Sequence, residues 1–322
     1  MARAFRPAVL WTTRRGWFRW LMTGSRPGRA VTDRFVAGES LQDAIQVAKQ
    51  LDRRRITTML DHLGENVSTS QQALDARQAY LSALSRIRLE PNLDCAISIK
   101  LTQLGLDASV EDCISNVEPI LASAETAGAF VMIDMESHPY VDGTLEVLKR
   151  THDRFPTLGV CLQAYLRRTE NDVFLLPPSV RVRLVKGAYL EPPDVVYHAK
   201  SDVDAAYARL FTTLLARGHR IDAATHDGSL IEGVRRRVDA TPGAWSRVEF
   251  QMLYGVRRDL QAELARQGYP LRVYVPYGTE WYPYLTRRLA ERPANLWFFL
   301  SNAVRGSGLR TRLDGKERKD ER

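Results

Sequence analysis

Polar or ionisable side chains recur in this chain where short apolar runs give out: Asp61 with Glu65, Lys100, Asp134, Gln163, Lys186, His226, Gln251 and Tyr274. Gathered around one pocket, these carboxylates, cations, amides, imidazole and phenol could bind and orient a small polar molecule. Near the carboxyl end, the segment EWYPYLTRRLAERPAN places Tyr284, Arg287, Arg288 and Glu291 at i, i+3, i+4 and i+7. That spacing puts them on one face of a helix. Adjacent arginines suit a carboxylate or phosphate, which a guanidinium grips with two parallel bonds. Glu291, one turn further on, can hold a guanidinium in place. A solvated helix face would show the same charges, but this helix follows the last apolar run and has Tyr274 and Tyr284 beside its arginines.

The segment RLVKGAY adds Arg183, Val185, Lys186, Gly187 and Ala188, and ATHD (224–227) adds Thr225, His226 and Asp227. RLVKGAY is dense in cationic and backbone donors. It suits either a phosphorylated substrate or a flavin, whose pyrophosphate needs positive groups and whose ring needs hydrogen bonds along its polar edge. The six histidines are scattered, with no HxH or HExxH, so no metal site is expected. No GxSxG marks a hydrolase nucleophile and no GxGxxG a dinucleotide turn.

Apolar runs and amphipathic stretches alternate along the body of the chain. The runs ITTML (56–60), CAISIK (95–100), FVMIDM (130–135), GVCLQAY (159–165), VRVRLVKG (180–187), IDAATHD (221–227), VEFQML (248–253) and RVYVP (272–276) read as strands covered on both faces. Helical stretches such as SVEDCISNVEPILASAETAG and DVDAAYARLFTTLLARG lie between them. Eight strand–helix units in about 250 residues predict an α/β fold, a (β/α)8 barrel of the TIM type. In such a barrel the carboxyl ends of all strands meet on one face, which makes a ring of ligands of the polar strand ends. The expected layout is a helical arm over residues 1–50, a barrel over 51–305 and a charged tail over 306–322.

The 322 residues carry 46 Lys+Arg against 38 Asp+Glu, a net charge of +8. With 44% hydrophobic and 26% charged residues, the chain is ordinarily globular and long enough for a large core. No apolar run reaches the roughly 18–20 residues of a membrane span. The cysteines Cys95, Cys113 and Cys161 form no CxxC pair and suit a reducing cytoplasm. Part of the basic excess lies in residues 1–32, where seven arginines and no acidic residue are interleaved with Trp11, Trp17, Phe18 and Trp20. That composition suits a helix lying on an anionic bilayer, and equally a helix packed on the main domain.

SIKLTQLG, IDMES, LQAYL, RLVKGAY, ATHD, EFQMLYG, RVYVPYG and YLTRRLAERPAN, in this order and spacing, resemble the proline dehydrogenase family. The resemblance runs from about residue 56 to residue 300, and the length is similar to that of the monofunctional bacterial enzymes. It implies a distorted barrel with extra N-terminal helices and non-covalent FAD. It also implies oxidation of L-proline to Δ1-pyrroline-5-carboxylate, the first step towards glutamate, by hydride transfer to flavin N5, with electrons passing to a quinone.

Residue by residue, the resemblance implies that Arg287, Arg288 and Lys100 grip the proline carboxylate and that Glu291 fixes the arginines. Tyr274 would pack on the ring, Tyr284 and Leu253 would wall the pocket, and Asp134 would lie between substrate and flavin. Arg183 would donate towards N5. Gln163, Val185, Lys186, Gly187, Ala188, Thr225 and His226 would line the cofactor, with Gln251 and Glu249 as further contacts. Asp227 stands where many relatives carry Asn, and a carboxylate beside cofactor phosphates is unfavourable. Such an enzyme is expected in the cytoplasm or peripherally on the inner face of the cell membrane, without nucleic acid as a partner. The alternative is another barrel enzyme acting on a different phosphorylated or carboxylated small molecule.

Overall fold

The computed structural model describes residues 32–64, 67–177 and 179–291, with side chains to residue 286. The Arg/Trp-rich segment, Glu65 and the charged tail lie outside the described residues. Phe35–Trp281 forms one compact unit. A second unit takes in the two chain ends, and of it residues 32–34 and 282–291 are described.

Eight strands, all parallel to their neighbours, close into a barrel in sequence order, with β1 pairing both β2 and β8. They are β1 (Thr57–His62), β2 (Cys95–Ile99), β3 (Val131–Ile133), β4 (Leu158–Gln163), β5 (Arg181–Val185), β6 (Arg220–Ala224), β7 (Val248–Leu253) and β8 (Leu271–Tyr277). The eight apolar runs of the sequence are these eight strands. β3 is the shortest, and the chain beyond it stays in register because Asp134 N–H donates to the Ile99 carbonyl at 2.9 Å.

The helices are α1 (Leu41–Asp52), α2 (Ser70–Arg88), α3 (Val110–Ala127), α4 (Val141–Thr151), α5 (Thr169–Asp172), α6 (Lys200–Ala216), α7 (Gly228–Asp239), α8 (Arg258–Arg266) and α9 (Trp281–Glu291). α1 begins with a reciprocal cap: Asp43 N–H donates to Ser40 Oγ, and Ser40 N–H to the Asp43 carboxylate. Its buried residues Ala44, Ile45, Val47, Ala48 and Leu51 make one stripe just before β1. The crossover from β4 to β5 departs from the regular pattern, because α5 is a single turn. After β5 the chain returns to the β4 side, where Val196 bridges Leu166.

The main core lies between strands and helices, on outward-facing side chains such as Leu60, Ile97, Ile133 and Phe250. A small separate cluster of Met59, Ala96 and Met132, flanked by Phe130 and Tyr274, fills part of the barrel interior. Along β5 and β8, charged or phenolic side chains alternate with aliphatic ones. The pleat sends Arg181, Arg183, Arg272 and Tyr274 inward, where polar partners meet them.

Candidate active site

The carboxyl ends of β1, β2, β3 and β8 bring two buried groups, Asp61 and Lys100, into contact with two partly buried ones, Asp134 and Tyr274. Lys100 Nζ lies 2.5 Å from Asp61 Oδ1, 3.3 Å from Asp134 Oδ2 and 3.5 Å from the Tyr274 hydroxyl. Tyr274 donates to Asp134 Oδ2 at 2.7 Å, and Ser98 Oγ donates to Asp134 Oδ1 at 2.8 Å. From β5, Arg183 Nη1 reaches Asp134 Oδ1 at 2.5 Å, and its guanidinium lies 5.1 Å from the Tyr274 ring centroid. Asp134 is the hub, with Lys100, Arg183, Tyr274 and Ser98 all bonded to its two oxygens.

The protonation states follow from these contacts. Burial resists ionisation of Asp134, but Lys100 and Arg183 with two hydroxyl donors outweigh it and hold the carboxyl below its ordinary range. Asp61 goes the other way: burial and the Asp134 charge push it up in spite of Lys100. Burial disfavours the Lys100 ammonium, yet Asp61, Tyr274 and Asp134 keep it charged. Asp61 Oδ2 is buried and has no hydrogen-bond partner among the described residues.

A second group of residues follows β4, β5 and β6. Gln163 Nε2 donates to the Glu136 carbonyl at 2.9 Å. Lys186 lies 3.0 Å from Asp227 Oδ2 and 2.5 Å from Asp204 Oδ1, and Lys200 lies 2.9 Å from Asp227. Asp227 also caps α7, accepting the Ser229 N–H at 3.1 Å. Burial opposes its charge, but bonds from Lys200 and Lys186 hold its pKa far down. The carboxylate that looked unfavourable in the sequence is thus neutralised by two lysines. Thr225 Oγ1 accepts the Asp227 N–H, and His226 Nε2 accepts the Leu253 N–H at 2.9 Å. That bond places any proton of neutral His226 on Nδ1.

Gly187 has φ +112, and a Cβ there would fall 2.0 Å from the Tyr165 ring. Only glycine lets the chain after β5 run against Tyr165, whose N–H donates to the Lys186 carbonyl at 2.8 Å. Val185 closes β5, and Ala188 follows the glycine.

Two of the further expected contacts, Glu249 and Gln251, have protein partners inside the barrel. Glu249 sits near the amino-terminal side of the barrel, with Arg272 Nε and Arg181 Nη2 each 2.8 Å from Oε1. Gln251 spends both ends of its amide on protein groups. Its carbonyl accepts from Arg183, and its NH2 donates to Asp222 and Glu249. Strand alternation on an inward polar face accounts for both, because residues two apart on β7 point the same way.

α9 is a helix over Trp281–Glu291, so Tyr284, Arg287, Arg288 and Glu291 do follow one another at helical spacing. Pro283 stands in its first turn, where the missing N–H has no intrahelical partner to lose. The side chains of Arg287, Arg288 and Glu291 lie outside the described residues.

Sequence reading passed over Ser98, Met59 and the role of Asp61, all of which touch the hub or its partners. The available signal was the even spacing of Met59 with Asp61 and of Ser98 with Lys100, which puts each pair on one face of its strand.

A closed eight-stranded parallel barrel with a buried ionic cluster at the carboxyl ends of its strands defines a (β/α)8 enzyme. A family model described as proline dehydrogenase matches residues 44–300. The chain is 40% identical over 282 residues to a proline dehydrogenase of Deinococcus radiodurans, covering 86% of this chain and 91% of that one. It is 37% identical over 273 residues to proline dehydrogenase 1 of Bacillus subtilis, covering 84% and 90%. Among solved structures, proline utilization A from Bdellovibrio bacteriovorus, inactivated by N-propargylglycine, superposes with a TM-score of 0.78 at 25% identity. That likeness covers 87% of this chain and 34% of the solved one, so the chain spans about a third of that larger protein. The chain belongs to the proline dehydrogenase family.

Proposed function

We propose that this protein oxidises L-proline to Δ1-pyrroline-5-carboxylate with a non-covalently bound FAD, and that the electrons leave to a quinone. The observation that carries the reading is the Asp134 hub, which joins Lys100, Arg183 and Tyr274 at the carboxyl ends of the barrel strands. Family membership supplies the substrate class, and the donor set supports the cofactor. Arg183 is a buried cation, Gln163 offers an amide, and Lys186 and Lys200 cancel the carboxylate charge of Asp227 beyond β5. A bound flavin supplies the hydride acceptor.

The protein's part is binding, orientation and charge. Proline presents a carboxylate, an amine and an apolar ring. Lys100 offers the carboxylate a cation that stays charged although buried, and Arg287 and Arg288 join it on the family pattern of YLTRRLAERPAN. Tyr274 lends the ring an aromatic wall, and its hydroxyl bond to Asp134 holds the tip of that wall in place. Cations about the substrate disfavour a protonated amine, and a deprotonated amine is what hydride loss from the neighbouring carbon requires. Holding the reacting carbon in place is the main source of acceleration available to such a site.

A quinone acceptor implies an approach to a membrane. No helix among the described residues is long and apolar enough to cross one. The arginines and tryptophans of residues 1–32 are suited to peripheral contact with an anionic surface. The protein is read as cytoplasmic with such a contact. Co-sedimentation with phosphatidylglycerol vesicles, lost on deleting residues 1–30, tests it.

The reaction is tested by adding L-proline to the purified protein without oxygen while recording its visible spectrum. The expected result is flavin absorbance that bleaches with proline. A colourless protein, or a flavin that proline leaves oxidised, contradicts the proposal.

A further inference from the structure

We infer that Gln251 is a positioning residue for Arg183, with its amide direction set by the two carboxylates beneath it. The inference rests on the proposed reading that Arg183 faces the flavin.

Arg183 is buried, and its partners are nearly all within the barrel. Nε donates to Gln251 Oε1 at 2.8 Å, Nη1 to Asp134 Oδ1 at 2.5 Å and to Ser98 Oγ at 3.2 Å, and Nη2 to Met59 Sδ. A guanidinium has five N–H protons. One Nη2 proton therefore has no acceptor among the described residues, and it is the donor that Arg183 can offer to a ligand. Its direction depends on the plane of the guanidinium. Asp134 and Ser98 fix one edge of that plane, and Gln251 fixes the other.

A glutamine amide has nearly the same shape either way round, so hydrogen bonds alone decide its orientation. Here Nε2 donates to Asp222 Oδ2 at 2.7 Å and to Glu249 Oε1 at 2.9 Å. Turned over, the amide would set its carbonyl against two carboxylates and its NH2 against a guanidinium N–H. Both contacts would be repulsive in a buried site, so the carbonyl must face Arg183. The carboxylates are themselves anchored. Arg181 Nε donates to both oxygens of Asp222, at 2.9 and 3.0 Å, and Arg272 Nε donates to Glu249 at 2.8 Å. The order of this layer thus reaches Arg183 through one amide, from a residue 68 positions away in the chain.

If the amide is lost, Arg183 keeps Asp134 and can tilt about that contact. Cationic charge then moves off its aligned position, and reduced, anionic flavin loses stabilisation. Proline binding does not use this contact.

The test compares full-length wild type, Gln251→Met, Gln251→Glu and Arg183→Met for flavin content, flavin midpoint potential and the rate of anaerobic bleaching by proline. Gln251→Met is expected to retain flavin and to show a more negative potential. Its bleaching should be at least about tenfold slower, the scale of one hydrogen bond to a charged group. Half-saturating proline should stay within about twofold, because the lost contact acts on the transition state. In Gln251→Glu, a neutral acid between two carboxylates keeps one donor and one acceptor. This variant should approach the wild-type rate at acid pH and fall away as it ionises.

Wild-type potential and rate in Gln251→Met, alongside a changed Arg183→Met, would overturn the role of Gln251. If Gln251→Met does not fold, a Gln251→Glu rate equal to that of wild type at every pH overturns it equally. A wild type without flavin, or an Arg183→Met potential equal to wild type, would instead overturn the underlying reading of Arg183.

Discussion

The barrel interior holds two ionic layers of the same composition, and they differ in how completely they are satisfied. The floor, towards the amino ends of the strands, contains Arg181, Arg272, Asp222 and Glu249. The mouth contains Lys100, Arg183, Asp61 and Asp134. Each has two cations and two carboxylates. In the floor, Arg181 bonds both carboxylates, and Arg272 bonds Glu249, the Thr58 carbonyl and Asp94. Both guanidinia lie over the Phe130 ring, at 3.8 and 4.9 Å from its centroid. None of the four floor residues leaves a buried polar side-chain atom unpaired among the described residues. The mouth leaves the buried Asp61 Oδ2 unpartnered. Identical charge counts thus serve different ends: a closed lattice fills space between strands, whereas an open one is left ready for a ligand.

The largest effect expected from breaking this contrast is on stability, in the floor. Arg272→Met leaves Glu249 short of a cation in a buried site and should cost about 3–5 kcal/mol of unfolding free energy, measured by urea denaturation. A loss below about 1 kcal/mol would mean that the floor is not a structural lattice. In the mouth, Lys100→Met removes a charged partner from both Asp61 and Asp134. It should lower kcat/KM for proline by about a hundredfold in steady-state assays, the range of one to two charge-assisted bonds. Arg288→Met should raise KM for proline at least about tenfold. Unchanged kinetics would remove that arginine from the proposed carboxylate clamp.

The smallest effect is a slope. Burial, with Glu249 adding to it against Arg181, pushes Asp222 from 3.8 up to about 6. A carboxyl whose folded pKa is raised contributes stability fully below its unfolded pKa and loses it as pH rises through the folded one. Between pH 3.8 and about 6 the wild type should therefore lose stability relative to Asp222→Asn. Parallel stability curves for the two proteins would show that Asp222 does not titrate there.

The two layers were unequally legible in the sequence. Asp61, Lys100 and Asp134 could be picked out because each ends an apolar run, and the barrel rule turns strand ends into a site. The floor gave no such signal. Arg181, Asp222, Glu249 and Arg272 stand near the beginnings of strands, where charges also mark exposed ends. Their pairing appears only once the sheet closes: register sets Arg183 beside Asp222, Asp222 beside Glu249, and Gln251 beside Arg272. The single-turn α5 was hidden for a related reason, since loop and short helix share a composition. The neutralisation of Asp227 depends on Lys186 and Lys200 arriving from two other segments, which spacing along the chain does not reveal.

The division of labour between the layers is tested most directly by two charge-removing variants read in the same two ways. Asp134→Asn and Glu249→Gln are compared for unfolding free energy in urea and for the rate of proline-dependent flavin bleaching. The expected result is a crossing. Asp134→Asn should slow bleaching at least about tenfold and lose less stability than Glu249→Gln, because Lys100 keeps Asp61 as a carboxylate partner. Glu249→Gln should lose about 2 kcal/mol or more while its rate stays within about threefold of wild type, because Asp222 still orients the Gln251 amide. If both variants lose the same property to the same degree, floor and mouth are one structural network and the proposed division is wrong.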